Sequence, residues 1–178
     1  MLSPDTRVFS KLAAVAFLTL GLAGCFRPLY GPTASGASLQ SELAAIEIPE
    51  NQFPEDRGVA EHYVRSELIF NLNGSGIPQP KKYRLALNYS QGLTTPIVDS
   101  ATGRALSATL TGTLRYTLTT LDGSLAIASG QATAAATYDR FAQRFSSVRA
   151  ARDAEIRVSK DLAEQVKTQL AAALATRP

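Results

Sequence analysis

Apolar and polar residues alternate most regularly between Ala105 and Leu118. Leu106, Ala108, Leu110, Gly112, Leu114, Tyr116 and Leu118 face one way, and Ser107, Thr109, Thr111, Thr113, Arg115 and Thr117 face the other. A period of two with a threonine-rich side predicts a long strand with one wet face. Tyr83, Leu85, Leu87 and Tyr89 alternate with Arg84, Ala86, Asn88 and Ser90 and predict a second half-buried strand, interrupted by Gly92 and Pro96. Asp99 to Gly103 reads as a turn, and the short apolar run Leu43 to Ile48, closed by Pro49, reads as a first strand.

Two stretches carry the helical period instead. From Val59 to Leu72 the residues Ala60, Val64, Leu68 and Leu72 recur every four, joined by Tyr63, and Asn73-Gly74 supplies a stop. Val148 to Ala175 holds neither Gly nor Pro. There Val158, Leu162, Val166 and Leu170 form the stripe, and Ala151, Ala154, Ala163 and Leu174 widen it. Ser146-Ser147 is the expected N-cap, and Arg157 is expected to pair with Asp161 along the outer face.

Asp122-Gly123 is a two-residue hairpin signal that would pair Leu121 with Ser124 and set Leu118 opposite Ile127. Unbroken pairing would then place Leu114 against Gln131, apolar on polar. One extra residue near Ser129-Gly130 restores the match, setting Leu114 against Ala132, Gly112 against Ala134, Leu110 against Ala136 and Ala108 against Tyr138. These small inner residues leave room for a helix to approach closely. The predicted order is strand, helix, strand, strand, strand, helix. The fold class is α+β: a two-layer sandwich with two helices on one face of a roughly four-stranded, mostly antiparallel sheet.

The start of the chain is patterned differently. Arg7 and Lys11 precede an apolar run from Leu12 that closes on Leu22-Ala23-Gly24-Cys25. That is the layout of a signal peptide, and its last four residues resemble the lipobox of bacterial lipoproteins. Residues 1–24 are therefore expected to be cleaved. Residues 25–40, rich in Pro, Gly and Ser, are expected to form a lipidated N-terminus and linker, and residues 41–176 a single periplasmic domain. By the same resemblance Cys25 would carry diacylglycerol and an N-acyl chain, enough acyl length for a durable anchor. Phe26 in the next position, in place of Asp, favours the outer membrane.

Charge and chemistry narrow the function. Taking Arg7, Lys11 and Asp5 from 18 basic and 15 acidic residues leaves 16 and 14, a net charge of +2, which is no nucleic-acid signature. The one cysteine leaves no disulfide for the fold to rely on. The one histidine, His62, falls on a predicted helix without clustered ligands, and Gly74-Ser75-Gly76 follows a helix where a phosphate loop would lead into one. Neither a nucleophile motif nor a metal set is visible, so neither catalysis nor a cofactor is expected.

Cys25-Phe26-Arg27-Pro28-Leu29-Tyr30-Gly31, the element order, and the helix carrying Ala151-Arg152-Asp153-Ala154-Glu155 and Leu162-Ala163 together resemble the lipopolysaccharide-assembly lipoproteins (LptE type) of alphaproteobacteria. The resemblance implies a reaction-free outer-membrane lipoprotein that plugs a large β-barrel and assists passage of lipopolysaccharide to the outer leaflet. A threonine-rich sheet face suits the wet lumen of such a barrel. Lipopolysaccharide carries phosphates, so Lys81, Lys82, Arg84 and Arg104 are its candidate contacts. Arg140, Arg144, Arg149 and Arg152 form a second basic group, suited to barrel carboxylates or to solvent. The competing reading is an auxiliary lipoprotein of another envelope transport system, or a cell-wall tether.

Overall fold

The computed structural model describes residues 38–50, 59–74, 76, 78–96 and 98–176. The elements are α1 (Leu39–Ala44), β1 (Ile46–Glu47), α2 (Val59–Leu72), β2 (Tyr83–Thr94), β3 (Ser107–Thr120), β4 (Ala126–Asp139) and α3 (Arg144–Ala175). The four strands lie in the order β1-β2-β3-β4. β1 runs parallel to β2, and the other neighbours are antiparallel. Helix α3 packs across β3 and β4, and α2 packs on α3. This is the predicted two-layer α+β sandwich with a third, short helix added.

That third helix corrects the expectation of a strand over Leu43 to Ile48. The Ser38 hydroxyl accepts from the Ser41 amide at 3.2 Å and caps the turn, and Leu39 and Leu43, four residues apart, are both fully buried. A short apolar run cannot reveal its period until its neighbours are placed. Only Ile46 and Glu47 extend, opposite Tyr83 and Arg84. Packed structure is thus under way at Leu39, two residues inside the stretch assigned to the linker.

The long hairpin keeps the predicted register where the helix needs it. Leu114 faces Ala132, Gly112 faces Ala134, Leu110 faces Ala136 and Ala108 faces Tyr138. A Cβ on Gly112 would lie 2.6 Å from Val158 Cγ1 and 3.1 Å from Leu162 Cδ1, so its bare backbone lets α3 sit directly on β3. The bulge falls nearer the turn than predicted. Leu118 faces Ala128 and Thr119 faces Ala126, which leaves Ile127 as the extra residue, and Leu118 does not face Ile127. Gly130 is needed elsewhere: a Cβ there would meet the Tyr116 hydroxyl at 2.7 Å.

The turn itself is wider than two residues. Thr120 donates its amide to Leu125 O and Gly123 donates to Thr120 O, so Leu121 to Ser124 form the loop. A type I′ turn needs positive φ at both central residues, and among the described residues only glycines have it. Gly123 adopts φ +75°, while Asp122 uses its Oδ1 to accept from the Thr120 hydroxyl and the Ser124 amide.

Two further boundaries move. β2 continues through Gly92, paired with Thr111, and stops at Thr94, so Pro96 and not Gly92 interrupts it. Helix α3 starts at Arg144 instead of Val148, with Gln143 in the N-cap position and no side-chain cap bond. The Ser147 hydroxyl reaches back to Phe141 O at 2.9 Å, inside the first turn. Arg157 pairs with Asp153 at 2.9 Å, one turn earlier than the expected Asp161.

Candidate functional site

The two ends of the sheet are built differently. At one end, where α1 and β1 meet the start of β2, basic groups are held by the protein itself. Lys81 Nζ donates to Ala44 O and Ile46 O, both at 2.9 Å. Lys82 Nζ lies 2.7 Å from Glu42 Oε1, and Tyr83 Oη donates to Glu42 Oε2 at 2.7 Å. The hydrogen bond and the charge of Glu42 raise the Lys82 pKa, and burial acts against them. Arg84 Nε reaches Glu47 Oε2 at 3.2 Å, bracing the two-residue strand against β2.

Three of the four expected lipopolysaccharide contacts are therefore neighbours, and each is occupied within the chain. Arg104 stands apart from them. It lies beyond the far end of β2, about 35 Å away at roughly 3.3 Å per strand residue. The structure does not bring the four together.

Arg104 instead joins the second basic group at the opposite end, here called the tip. The tip comprises the end of β2, the connecting residues 95–96 and 98–106, the end of β4 and the first turns of α3. Arg104, Arg140, Arg144, Arg149 and Arg152 are all exposed there. Among the described residues, the first four have no ion pair within 4.0 Å. Arg152 is partly engaged, donating Nε to the Tyr63 hydroxyl at 3.0 Å and lying 3.8 Å from Glu155.

Exposed apolar side chains occupy the same end of the sheet. Leu93, Val98, Leu106, Phe141, Phe145 and Val148 are between 47% and 74% exposed, large values for such residues, and all belong to the tip. The Arg149 guanidinium lies over the Phe145 ring at 5.7 Å. Leu106, read from the alternation as an inward residue, precedes β3 and faces solvent.

Hydrogen bonds tie together the described backbone beneath the tip. Asp99 donates its amide to Arg104 O and accepts from the Gly103 amide, each at 2.8 Å, and Val98 pairs with Ala105. The Asp99 carboxylate accepts the Ala101 and Thr102 amides, which pulls its pKa below the usual value. Gly103 supplies φ +67°, and Arg140 donates its amide to Leu106 O at 2.9 Å, tying the loop to the end of β4. The sequence signal for this surface was the doubled Arg-Phe of Arg140-Phe141-Ala142-Gln143-Arg144-Phe145. Reading its arginines without its phenylalanines hid the amphiphilic character.

Cys25 lies outside the described residues. Among those that are described, no helix is long and apolar enough to cross a membrane, and no three His, Cys, Asp or Glu residues are grouped to hold a metal ion.

The chain resembles solved lipoprotein structures. One is a protein of Caulobacter crescentus CB15 assigned to the lipoproteins, 20% identical, with 78% of this chain and 97% of that one covered at a TM-score of 0.59. Another is a minor lipoprotein from Acinetobacter baumannii, 18% identical, with 75% and 94% covered at a TM-score of 0.52. At such identities the likeness is one of fold. No curated protein matches the sequence significantly. The family model described as LptE, lipopolysaccharide-assembly, matches residues 43–170, spanning nearly all of the packed domain from α1 to α3. The chain therefore belongs to the LptE lipopolysaccharide-assembly family.

Proposed function

We propose that this protein is an outer-membrane lipoprotein, acylated at Cys25 and held on the periplasmic side, that supports lipopolysaccharide assembly from within a large β-barrel. It binds and positions, and catalyses no reaction. Family membership supplies the process, and the tip carries the mechanistic part of the reading. Four arginines that, among the described residues, form no ion pair within 4.0 Å share one end of the sheet with six exposed apolar side chains, which matches a ligand that joins phosphate groups to acyl chains. Guanidinium groups take phosphate oxygens in pairs, and the leucines, valines and phenylalanines lie beside acyl methylenes.

The opposite sheet face suits a wet protein wall. Thr109, Thr111, Thr113, Thr117, Thr133 and Thr137 stand on it around Arg115, and the Thr109 and Thr137 hydroxyls already bond one another at 2.9 Å. Hydroxyls both donate and accept, so this face can meet the polar lumen of a barrel without an unpaired group.

Detergent pull-down from outer membranes with the acylated full-length chain is the direct test. A large β-barrel protein is expected to co-purify, and intact-mass analysis of the bait is expected to show a mature chain beginning at acylated Cys25. Recovery of a different transport complex or of cell-wall fragments would replace this reading with an auxiliary or tethering role.

A further inference from the structure

β4 is an outermost strand of the sheet, fourteen residues long, and such an edge ordinarily offers its outward carbonyls and amides to another strand. Here α3 reaches over it. Arg157 Nη2 donates to Thr137 O at 3.2 Å, Gln165 Nε2 donates to Thr133 O at 3.1 Å, and Gln169 Nε2 donates to Gln131 O at 3.2 Å. Each acceptor is a main-chain oxygen on alternate residues of the edge, and each donor lies on one stripe of α3.

The periods make this arrangement more than three separate contacts. Four helical residues rise about 6 Å, and two strand residues rise about 6.6 Å. Helix positions 157, 161, 165 and 169 therefore step along strand positions 137, 135, 133 and 131 almost in register. At the 161 position stands Asp161, an acceptor, so only the three donor positions hold a carbonyl.

Two of the three donors are themselves held. Tyr116 Oη donates to Gln169 Oε1 at 2.9 Å, which turns the amide so that its nitrogen faces Gln131 O. Gly130 makes that possible, since a Cβ there would lie 2.7 Å from Tyr116 Oη and 2.9 Å from Gln169 Oε1. Arg157 Nε is fixed by Asp153 Oδ2 at 2.9 Å, leaving Nη2 for Thr137. A surface glutamine stripe that merely met solvent would not need a buried tyrosine and a bare glycine behind it.

We propose that Arg157, Gln165 and Gln169 form a guard that closes the β4 edge against strand addition by a second copy of this chain. With the guard in place the carbonyls of Gln131, Thr133 and Thr137 already have donors, and a second copy gains less by pairing there. Without it, two β4 edges can run antiparallel about a two-fold axis and complete each other's ladders.

The test uses the full-length acylated chain in detergent. The variant Arg157→Met with Gln165→Met and Gln169→Met keeps side-chain volume and helix propensity but has no donors. The native chain should stay monomeric in sedimentation. The variant should self-associate at least about ten-fold more tightly, as expected for the release of three carbonyls. Hydrogen exchange should then slow at the amides of Thr133, Ala135 and Thr137 as concentration rises. Lys160→Met with Ala172→Met, which adds apolar surface off the stripe, should leave the chain monomeric. A guardless variant that stays monomeric, or that associates while those three amides still exchange freely, overturns the proposal. Should the triple variant fail to fold, Gln165→Met alone decides it by the same amides, and unchanged exchange there at high concentration is equally fatal.

Discussion

Both ends of the sheet carry basic side chains, three at the α1 end and five at the tip, and they put them to different uses. At the α1 end Lys81, Lys82 and Arg84 are bonded to carbonyls or carboxylates of the same chain, so their charges hold β1 and α1 in place. At the tip Arg104, Arg140, Arg144 and Arg149 form no ion pair within 4.0 Å among the described residues and share their end of the sheet with exposed Phe141 and Phe145. A cation whose partner lies within the fold contributes to stability and has little left for a ligand. A cation held beside exposed aromatic rings without an ion-pair partner is available for binding an anion. Residue type alone does not separate these cases; the partners do.

The largest effect expected from this contrast is on ligand binding. Replacing Arg104, Arg140, Arg144 and Arg149 together by Gln should weaken lipopolysaccharide binding by roughly 100-fold or more, at about 1 kcal/mol for each charge-assisted hydrogen bond removed. The thermal midpoint should barely move. Isothermal titration alongside a melting curve checks both. Equal binding by the variant would remove the tip from the mechanism, and a large loss of stability would show that its arginines are structural after all.

The mirror-image experiment is Glu42→Ala at the other end. Glu42 is almost fully buried and accepts from both Lys82 and Tyr83, so its loss should destabilise the domain by about 2 kcal/mol. Lipopolysaccharide binding by the protein that remains folded should be unchanged. Denaturant unfolding measures the first, and a binding curve well below the midpoint measures the second.

A smaller change is expected from Phe141→Ser with Phe145→Ser. Both rings are more than half exposed, so folding stability should shift by less than about 0.5 kcal/mol. Affinity for lipopolysaccharide should fall several-fold, whereas affinity for a deacylated, phosphorylated headgroup should not. If both ligands weaken alike, the rings position the arginines and do not touch acyl chains.

The smallest effect on ligand binding comes from a change confined to the interior between the two ends, where pH reads it. Burial pushes the Tyr89 hydroxyl up to about 12, with the charges of Glu155 and Glu61 adding to it. The unfolded chain loses this proton near its ordinary value of 10 while the folded chain keeps it. The stabilisation is therefore complete below pH 10 and is lost as the pH rises towards 12. Tyr89→Phe should flatten that alkaline decline relative to the native chain in pH-dependent unfolding, leaving tip binding at neutral pH unaffected.

How much of this was legible in the sequence follows from the length scale of each signal. The two long helices and the two-faced strand were legible because fourteen or more residues repeat one period, as in Ala60, Val64, Leu68 and Leu72. The register of β3 on β4 was legible because one step of slip would bury Gln131 against Leu114. The first helix was not, since Leu43 to Ile48 is too short to show whether it repeats by two or by four. The bulge fell nearer the turn, at Ile127, because the apolar match fixes that one residue is extra but not where along Ile127 to Gly130 it sits. The actual role of Gly130 depends on Tyr116 and Gln169, the latter thirty-nine positions further along the chain.

Residue order by itself determined the class of the fold, the pairing of β3 with β4 from Ala108 to Leu114, the closeness of α3 to Gly112, and the lipoprotein character expected of the first residues. Those are properties of neighbours along the chain or of strands joined by one turn. Only the tertiary structure decided which basic groups are satisfied, which apolar residues stay in water, and whether the edge of β4 is open. Each of those depends on groups brought together from separate elements, Lys82 with Glu42 or Gln165 with Thr133, and no local period records a partner that distant.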